Sequence, residues 1–185
     1  DHTAFTLPTR AWRDLRVRAS LVGRHQASNA PLAIAVLEDL PDELRPTAEA
    51  VQSGIRSVEY HGRDQIEVDE GGTWLFDVAH NVAGTRSLVD TIDRLELPRP
   101  LVMVVGVLGD KDWRGMLPPL FSRADQAILT QAPSAPPERR WSVRDAGDSV
   151  GTITHVTVEE DFERAMQKAR AEAGKGTVLV TGSVH

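Results

Sequence analysis

The pattern of apolar and polar positions predicts strands and helices that alternate through most of the chain after Val58. Short, nearly continuous apolar runs are typical of strands buried on both faces of a parallel sheet. These predicted strands cover residues 66–68, 101–108, 126–130, 153–158 and 177–181, with a central one that begins at Thr73. Helical periodicity lies between them, at residues 83–95 and 113–122 and around Phe162, where Thr157 and Glu160 suggest a capping box. The alternation predicts a doubly wound α/β domain with a mostly parallel sheet and helices on both faces.

The first part of the chain gives a shorter set of elements. Residues 1–11 show little pattern and are expected to be a loose end, and Leu15 to Leu21 alternates as a half-buried strand would. Residues 23–26 are expected to turn, and helices are predicted at 28–40 and 47–58, with Pro31 tolerated in a first turn. One strand and two helices are too few to bury a core. We therefore predict two domains: residues 1–58, the tail of a different unit, and residues 59–185.

The central strand ends in three polar residues that together form a candidate site. After the apolar run that starts at Thr73 come Asp77, His80 and Asn81, and a helical pattern follows almost at once. Ligands of open α/β sheets bind beyond the carboxyl ends of the strands, near helix N-termini. The alternative is structural: Asp77 and Asn81 cap a helix, and His80 serves the fold only.

Other predicted strands end in similar residues. Glycines, Asp110 and Lys111 follow the strand at 101–108, Thr130 ends the next strand, and Gly182-Ser183 ends the last one. If the sheet is parallel, all these endings lie at one edge. Residues 131–139 are predicted to be a surface loop, and residues 140–150 match no element.

Composition narrows the classes of function. The chain has 185 residues, a net charge of −6, a pI near 5.5 and no cysteine. The negative charge argues against a nucleic-acid or anionic-membrane surface, and the lack of cysteine excludes a disulfide framework. Neither an apolar run of about 20 residues nor a signal peptide is visible. We expect a cytoplasmic protein with no nucleic-acid or membrane partner, and a start at Asp1 suggests a fragment.

Several catalytic signatures are absent. The sequence has no H-E-x-x-H, no G-x-S-x-G and no G-x-G-x-x-G after a strand, so we predict no metal ligands in it. Gly174-Lys175-Gly176-Thr177 lacks the spacing of a phosphate loop and runs from a helix into a strand. We interpret it as a helix stop.

Five short segments together carry a family resemblance. They are L-V-G-R-H-Q-A-S-N-A (21–30), G-R-D-Q (62–65), F-D-V-A-H-N (76–81), V-G-V-L-G-D-K-D (105–112) and V-L-V-T-G-S (178–183). In this order they resemble folylpolyglutamate synthase/dihydrofolate synthase, of the Mur ligase superfamily. The resemblance implies that residues 1–58 are the tail of a central ATP-binding domain and residues 59–185 most of a Rossmann-like carboxy-terminal domain.

The resemblance also implies roles for four residues. Asn29, Arg63 and Asp77 match positions that contact ATP, and His80 matches a catalytic position in the same cleft. The implied reaction phosphorylates the carboxylate of a folate or dihydropteroate with ATP, and the amine of L-glutamate then attacks the acyl phosphate. Mg²⁺ is implied as well, with ligands in the central domain. The protein is expected to act as a monomer, with the central ATPase domain as the partner of this part.

Two residues depart from the family pattern. Asp64 stands where Phe is usual and is expected to pair with Arg63 and weaken phosphate binding, and Val82 stands where Pro is usual. The phosphate loop, magnesium ligands and modified lysine are absent, so this polypeptide is expected to be inactive alone. Dihydrofolate synthesis, polyglutamate extension and both remain open. The alternatives are a Mur-type ligase of cell-wall precursors and a non-catalytic α/β nucleotide-binding or interaction module.

Overall fold

The chain forms two compact units. The structure is a computed structural model that describes residues 3–20, 24–150 and 155–183, except for the side chains of residue 3 and residues 24–27. One unit comprises Asp1–His61 and the other Gly62–His185.

The first unit packs two helices on a hairpin. Its elements are β1 (Thr3–Thr9), β2 (Arg13–Ala19), α1 (Arg24–Glu38) and α2 (Ala48–Arg56). β1 and β2 pair antiparallel, with Leu7 opposite Leu15 and Phe5 opposite Val17. Its buried core consists of Leu15, Val17, Ile34 and Val51.

Residues 3–9 are not a loose end, contrary to the prediction; residues 1 and 2 lie outside the described residues. This segment forms β1, because Phe5 and Leu7 pack against the buried residues of β2. Only these two large apolar side chains alternate along the strand, so its sequence pattern is weak.

The first helix also differs from the prediction. It begins at Arg24, so residues 24–26 belong to the helix and not to a turn. Pro31 therefore lies in its interior, where a proline removes one backbone hydrogen bond. Leu21 and Gly23, which the prediction placed in a strand and a turn, lie outside the described residues. α2 was predicted correctly within two residues, and its N-cap is Thr47.

The second unit is built on one six-stranded sheet. Its strands are β3 (Gln65–Asp69), β4 (Gly72–Phe76), β5 (Leu101–Val105), β6 (Gln126–Leu129), β7 (Val156–Val158) and β8 (Thr177–Thr181). They lie in the order β3-β4-β8-β5-β6-β7. β3 pairs antiparallel with β4 as a hairpin, and all other pairs are parallel.

Helices cover both faces of this sheet, which confirms the predicted fold class. The helices are α3 (Val82–Ile92), α4 (Trp113–Phe121), α5 (Val143–Ser149) and α6 (Phe162–Ala173). α3, α4 and α5 pack on one face over the larger apolar cluster. α6 packs on the other face through Ala165, Ala169 and Ala173. Small residues let this helix approach the sheet closely.

Several boundaries in the second unit differ from the prediction. β4 ends at Phe76 and β5 at Val105, earlier than their apolar runs. The loop at 131–139 contains a short 3-10 helix, Pro137–Arg139, and the unassigned segment forms α5. β7 begins at Val156, and part of its predicted range, including Ile153, lies outside the described residues.

The prediction for α6 was wrong at its amino-terminal end and correct at its carboxyl-terminal end. Its N-cap is Asp161, whose Oδ1 accepts from the Arg164 N–H, so the predicted capping box at Thr157 and Glu160 is wrong. Gly174 ends the helix with φ +53°, as predicted, because glycine adopts this left-handed conformation without strain.

Candidate functional site

The parallel strands bring the polar strand endings to one edge, which we call the carboxyl edge. β4, β8, β5 and β6 are neighbours and run in the same direction. The residues that follow them therefore converge, as the sequence predicted. Gly182 has φ +109°, and a Cβ there would lie 2.6 Å from the Gly106 carbonyl oxygen. The backbones of Gly106 and Gly182 therefore approach each other closely at the centre of this edge.

Asp77 organises the end of β4 through its carboxylate. Oδ2 accepts from the backbone N–H of Asp64 at 3.1 Å, and Oδ1 accepts from the N–H of Ala79 at 2.8 Å. The Asp77 N–H itself donates to the Val180 carbonyl at 3.0 Å. Asp77 is only 8% exposed. Its side chain therefore ties the turn at residues 62–64 to the end of the sheet.

The turn at residues 62–64, which we call the Arg63 turn, is fixed at a second point. The Val78 N–H donates to the Gly62 carbonyl at 2.8 Å, and the Gly62 N–H donates to Oε1 of Gln65. Gly62 has φ +72°, and a Cβ there would lie 2.8 Å from Cγ1 of Val78. Only glycine fits this approach. Arg63, which is half-buried, is thereby held beside Asp77.

His80 and Asn81 occupy the segment between β4 and α3. Nδ1 of His80 lies 2.9 Å from the Val78 carbonyl, and because a carbonyl only accepts, this nitrogen carries the proton. Nε2 is the ring nitrogen left for a ligand. Asn81 is the N-cap of α3, and its Oδ1 accepts from the Gly84 N–H at 2.8 Å. The capping interpretation is therefore confirmed for Asn81, but Asp77 is not the cap.

Asp64 has a different environment from the one expected. It is 2% exposed, has φ +47°, and its Oδ2 lies 3.3 Å from Oγ1 of Thr91 on α3. Oδ1 is buried and meets no hydrogen-bond donor among the described residues. Burial, followed by the negative charge of Asp77, raises the pKa of Asp64 to about 7. The Thr91 hydrogen bond and, to a smaller extent, the charge of Arg63 oppose this shift. The fold thus directs this carboxyl group to Thr91, and the expected pairing with Arg63 is at most a minor influence on it.

The segment after β5 is held by an ion pair. Nη2 of Arg139 donates to both carboxylate oxygens of Asp110, at 2.9 and 3.2 Å, which lowers the pKa of Asp110. Leu108 also bridges to Arg140. These contacts attach residues 137–140 to the carboxyl edge.

The structure thus brings together three of the four predicted site residues. Arg63, Asp77 and His80 lie at the end of β4, whereas Asn29 lies on α1 in the other unit, where it is exposed. Sequence reasoning missed Thr91. A threonine at position 91 falls on the same helical stripe as Leu88 and Ile92, and a polar residue on an apolar stripe signals a buried partner.

The described residues also bear on metals and membranes. In residues 3–20, 24–150 and 155–183, no group of three or more His, Asp or Glu side chains could hold a metal ion. None of the helices in these ranges is long and apolar enough to cross a membrane.

Comparisons with known proteins agree with the resemblance. The family model for the Mur ligase glutamate ligase domain matches residues 62–184. Dihydrofolate synthase/folylpolyglutamate synthase of Escherichia coli is 33% identical over 160 residues, which are 85% of this chain and 35% of that protein. The chain spans 23 to 39% of the length of the first curated relatives it matches.

Solved structures of related proteins cover most of this chain. A Mycobacterium tuberculosis folylpolyglutamate synthase complexed with ADP and AMPPCP has a TM-score of 0.78 and 28% identity, and covers 98% of this chain and 42% of that one. An E. coli FolC in complex with ADP has a TM-score of 0.76 and 30% identity, over 92% and 39% of the two chains. The chain therefore belongs to the Mur ligase family through its glutamate ligase domain, and its curated relatives are dihydrofolate synthase/folylpolyglutamate synthases.

Proposed function

We propose that the protein containing this chain is an ATP-dependent ligase that joins L-glutamate to the carboxylate of a folate or dihydropteroate. The observation that carries the proposal is the placement of Arg63, Asp77 and His80 at one end of β4, at the carboxyl edge of a parallel sheet. Ligands of open α/β sheets bind at this edge. The names of the curated relatives support the folate branch over cell-wall precursors.

The donor set at this edge suits a nucleotide. ATP supplies the phosphoryl group that activates the substrate carboxylate. The guanidinium of Arg63 offers several donors to phosphate oxygens, and the Arg63 turn fixes the backbone that carries this side chain. The Asp77 carboxylate accepts from two backbone N–H groups, and an ionised carboxylate is also the type of acceptor that binds a ribose hydroxyl. Two of the solved relatives were determined with ADP.

The chemistry then needs charge neutralisation and exclusion of water. As the terminal phosphoryl group passes to the carboxylate, its P–O bond to ADP breaks, a P–O bond to the carboxylate oxygen forms and ADP leaves. The glutamate amine then attacks the acyl carbon of the acyl phosphate, an amide bond forms, the amine loses a proton and inorganic phosphate leaves. Arg63 stabilises the negative charge that spreads over the transferring group. His80 keeps Nδ1 on Val78, so Nε2 is directed to one hydrogen bond with the substrate.

The first unit completes the proposal. We infer that residues 1–58 belong to a central ATP-binding domain, that Asn29 contacts ATP from it, and that Mg²⁺ takes its ligands there. The sequence has no G-x-x-x-x-G-K-[ST] phosphate loop. We therefore expect this polypeptide to be inactive alone.

The test is an assay of the full-length protein. Phosphate release from ATP should require L-glutamate together with dihydropteroate, tetrahydrofolate or both, and the pattern identifies which reaction is catalysed. Arg63→Ala and Asp77→Ala should each lower kcat/KM at least about tenfold. Arg86→Ala, an exposed α3 position, is the matched control. Release that depends instead on a cell-wall precursor, or full activity in both site variants, would overturn the proposal.

A further inference from the structure

If Asp64 is ionised, the single hydroxyl proton of Thr91 cannot satisfy both of the acceptor oxygens that it faces. Oγ1 of Thr91 lies 3.3 Å from Oδ2 of Asp64 and 3.2 Å from the Ser87 carbonyl. A threonine hydroxyl has a single proton, and both neighbouring oxygens are acceptors if Asp64 is ionised. If Asp64 carries a proton instead, it donates to Thr91, and Thr91 donates to Ser87. The chain of hydrogen bonds is then complete.

The second oxygen of Asp64 supports the same state. Oδ1 is buried and meets no donor in the described part of the chain. An ionised carboxylate with a bare, buried oxygen is costly, whereas a neutral carboxyl group tolerates it better. Nearby, Asp77 already uses both of its oxygens on backbone N–H groups, so it offers Asp64 a negative charge and no hydrogen.

The charged groups that act on Asp64 come from each neighbouring element. Asp77 acts from the end of β4, and its charge favours the neutral form of Asp64. Arg63 acts from the same turn and favours the ionised form, with the smallest effect. From α3, the Thr91 hydroxyl favours the ionised form of Asp64 when it donates to Oδ2, and the ionisable neighbours Asp90 and Asp93 are exposed.

We propose that Asp64 is a positioning residue for Arg63. Asp64 holds the Arg63 turn against α3 while its carboxyl group is neutral, and the turn is released when this group ionises. The backbone N–H of Asp64 is bonded to Asp77, so a second negative charge on Asp64 weakens the contact that fixes the turn. This inference rests on the proposed nucleotide role of Arg63. It makes nucleotide affinity fall as the pH rises through neutrality.

The first test measures the turn without nucleotide. In carbon-13 spectra of the 185-residue chain, the Asp64 carboxyl signal, identified by its loss in Asp64→Asn, should titrate near neutral pH. The Arg63 Nε resonance should shift with the same midpoint. Protection of the Asp64 amide from hydrogen exchange should fall about tenfold from pH 6 to pH 8, and stay constant in Asp64→Asn. Asp125→Asn, at a distant strand start, should change none of these. Titration of Asp64 near pH 4, or an Arg63 resonance that ignores it, overturns the inference.

The second test measures the ADP affinity of the full-length protein across the same pH range. In the wild-type protein Kd should rise about threefold to tenfold between pH 6 and pH 8. Asp64→Asn mimics the neutral group, so it should keep the low-pH affinity throughout. A purely structural Asp64 predicts parallel profiles in both proteins, and that result overturns the inference. If neither full-length protein binds ADP at any pH, the proposed nucleotide role fails, and the resonance and exchange data alone decide whether Asp64 positions the turn.

Discussion

Aspartates at the starts of the parallel strands and at the carboxyl edge have opposite environments. At the starts of the parallel strands, Asp69 accepts from two backbone N–H groups and Nε1 of Trp74. Asp125 accepts from the Leu101 N–H and from Arg99. The pKa of Asp69 is lowered chiefly by the Trp74 bond, and that of Asp125 is lowered by Leu101 and Arg99 despite the opposing effect of partial burial. At the carboxyl edge, the pKa of Asp64 is raised to about 7.

The difference separates a structural edge from a candidate functional one. Donors surround the carboxylates at the strand starts, so their charge stabilises the folded chain. At the carboxyl edge, three side-chain atoms, Asp64 Oδ1, Gln131 Oε1 and Thr181 Oγ1, are buried and meet no partner among the described residues, whereas at the strand starts Arg170 has one such atom, Nε. Unsatisfied buried groups and strained backbone cost stability and concentrate where a protein binds ligands. The predictions below test this contrast by changing one carboxylate at a time.

The largest expected effect comes from Asp64→Asn. The folded pKa of Asp64, about 7, lies above the unfolded value of 3.8, so the folded chain holds this proton more tightly. The contribution to stability is present below pH 4 and is lost as the pH rises to 7. Relative to wild type, the variant should gain on the order of 4 kcal/mol between pH 4 and pH 8. Urea denaturation at several pH values measures this, and parallel curves would contradict it.

Asp77→Asn should have the next largest effect, with the opposite sign. The asparagine amide has one oxygen acceptor, and its NH2 group would face one of the two backbone N–H groups, of Asp64 or Ala79, that now donate to Asp77. One of these two buried hydrogen bonds is therefore lost. We expect a loss of about 2 kcal/mol at neutral pH. The like charge beside Asp64 also disappears, so the pKa of Asp64 should move down from about 7. A carbon-13 titration of the variant checks this, and an unchanged midpoint would show that Asp77 does not act on Asp64.

Asp125→Asn probes the opposite edge and should reverse the pH dependence. The folded pKa of Asp125 is lowered, so its contribution is present above the unfolded pKa and is lost as the pH falls through the folded value. Asp125 is 45% exposed, which reduces the effect to about 1 kcal/mol at pH 7. The gap between variant and wild type should close in acid. If the difference in stability between the variant and wild type widens in acid, the strand starts and the carboxyl edge do not have opposite pH dependences.

The smallest expected effect belongs to Asn81→Ala. This change removes the acceptor for the Gly84 N–H at the start of α3, a loss of about 1 kcal/mol with little pH dependence. Asp161→Ala, the equivalent cap of α6, is the matched comparison and should cost a similar amount. A much larger loss at Asn81 would indicate a role beyond capping.

The strands and their shared edge were predictable because they follow from local rules. Apolar runs such as residues 101–105 are long enough and apolar enough to identify buried strands, and parallel pairing then places their ends together. Elements with weak patterns were not predictable. β1 shows only Phe5 and Leu7 to its core, and α5 is seven residues long with two buried side chains.

The environment of Asp64 shows why part of the site could not be predicted. In the sequence its nearest opposite charge is Arg63, so a pairing was the natural expectation. The backbone at Asp64 has φ +47°, which points its carboxyl group toward Thr91, 27 positions later in the chain. Neither the left-handed conformation nor the burial follows from the neighbouring residues. Only the tertiary structure identifies this carboxyl group as one that favours its proton.

The position of β8 has a consequence for how this sheet is made. β8 is the last strand along the described chain, yet it lies between β4 and β5. The hairpin of β3 and β4 and the group of β5, β6 and β7 share no strand pairing except through it. On the ribosome, these two parts therefore have no strand pairing between them until residues 177–181 emerge. A stop codon before Thr177 should yield two separate half-sheets and a substrate for proteolysis, not a slightly shortened domain.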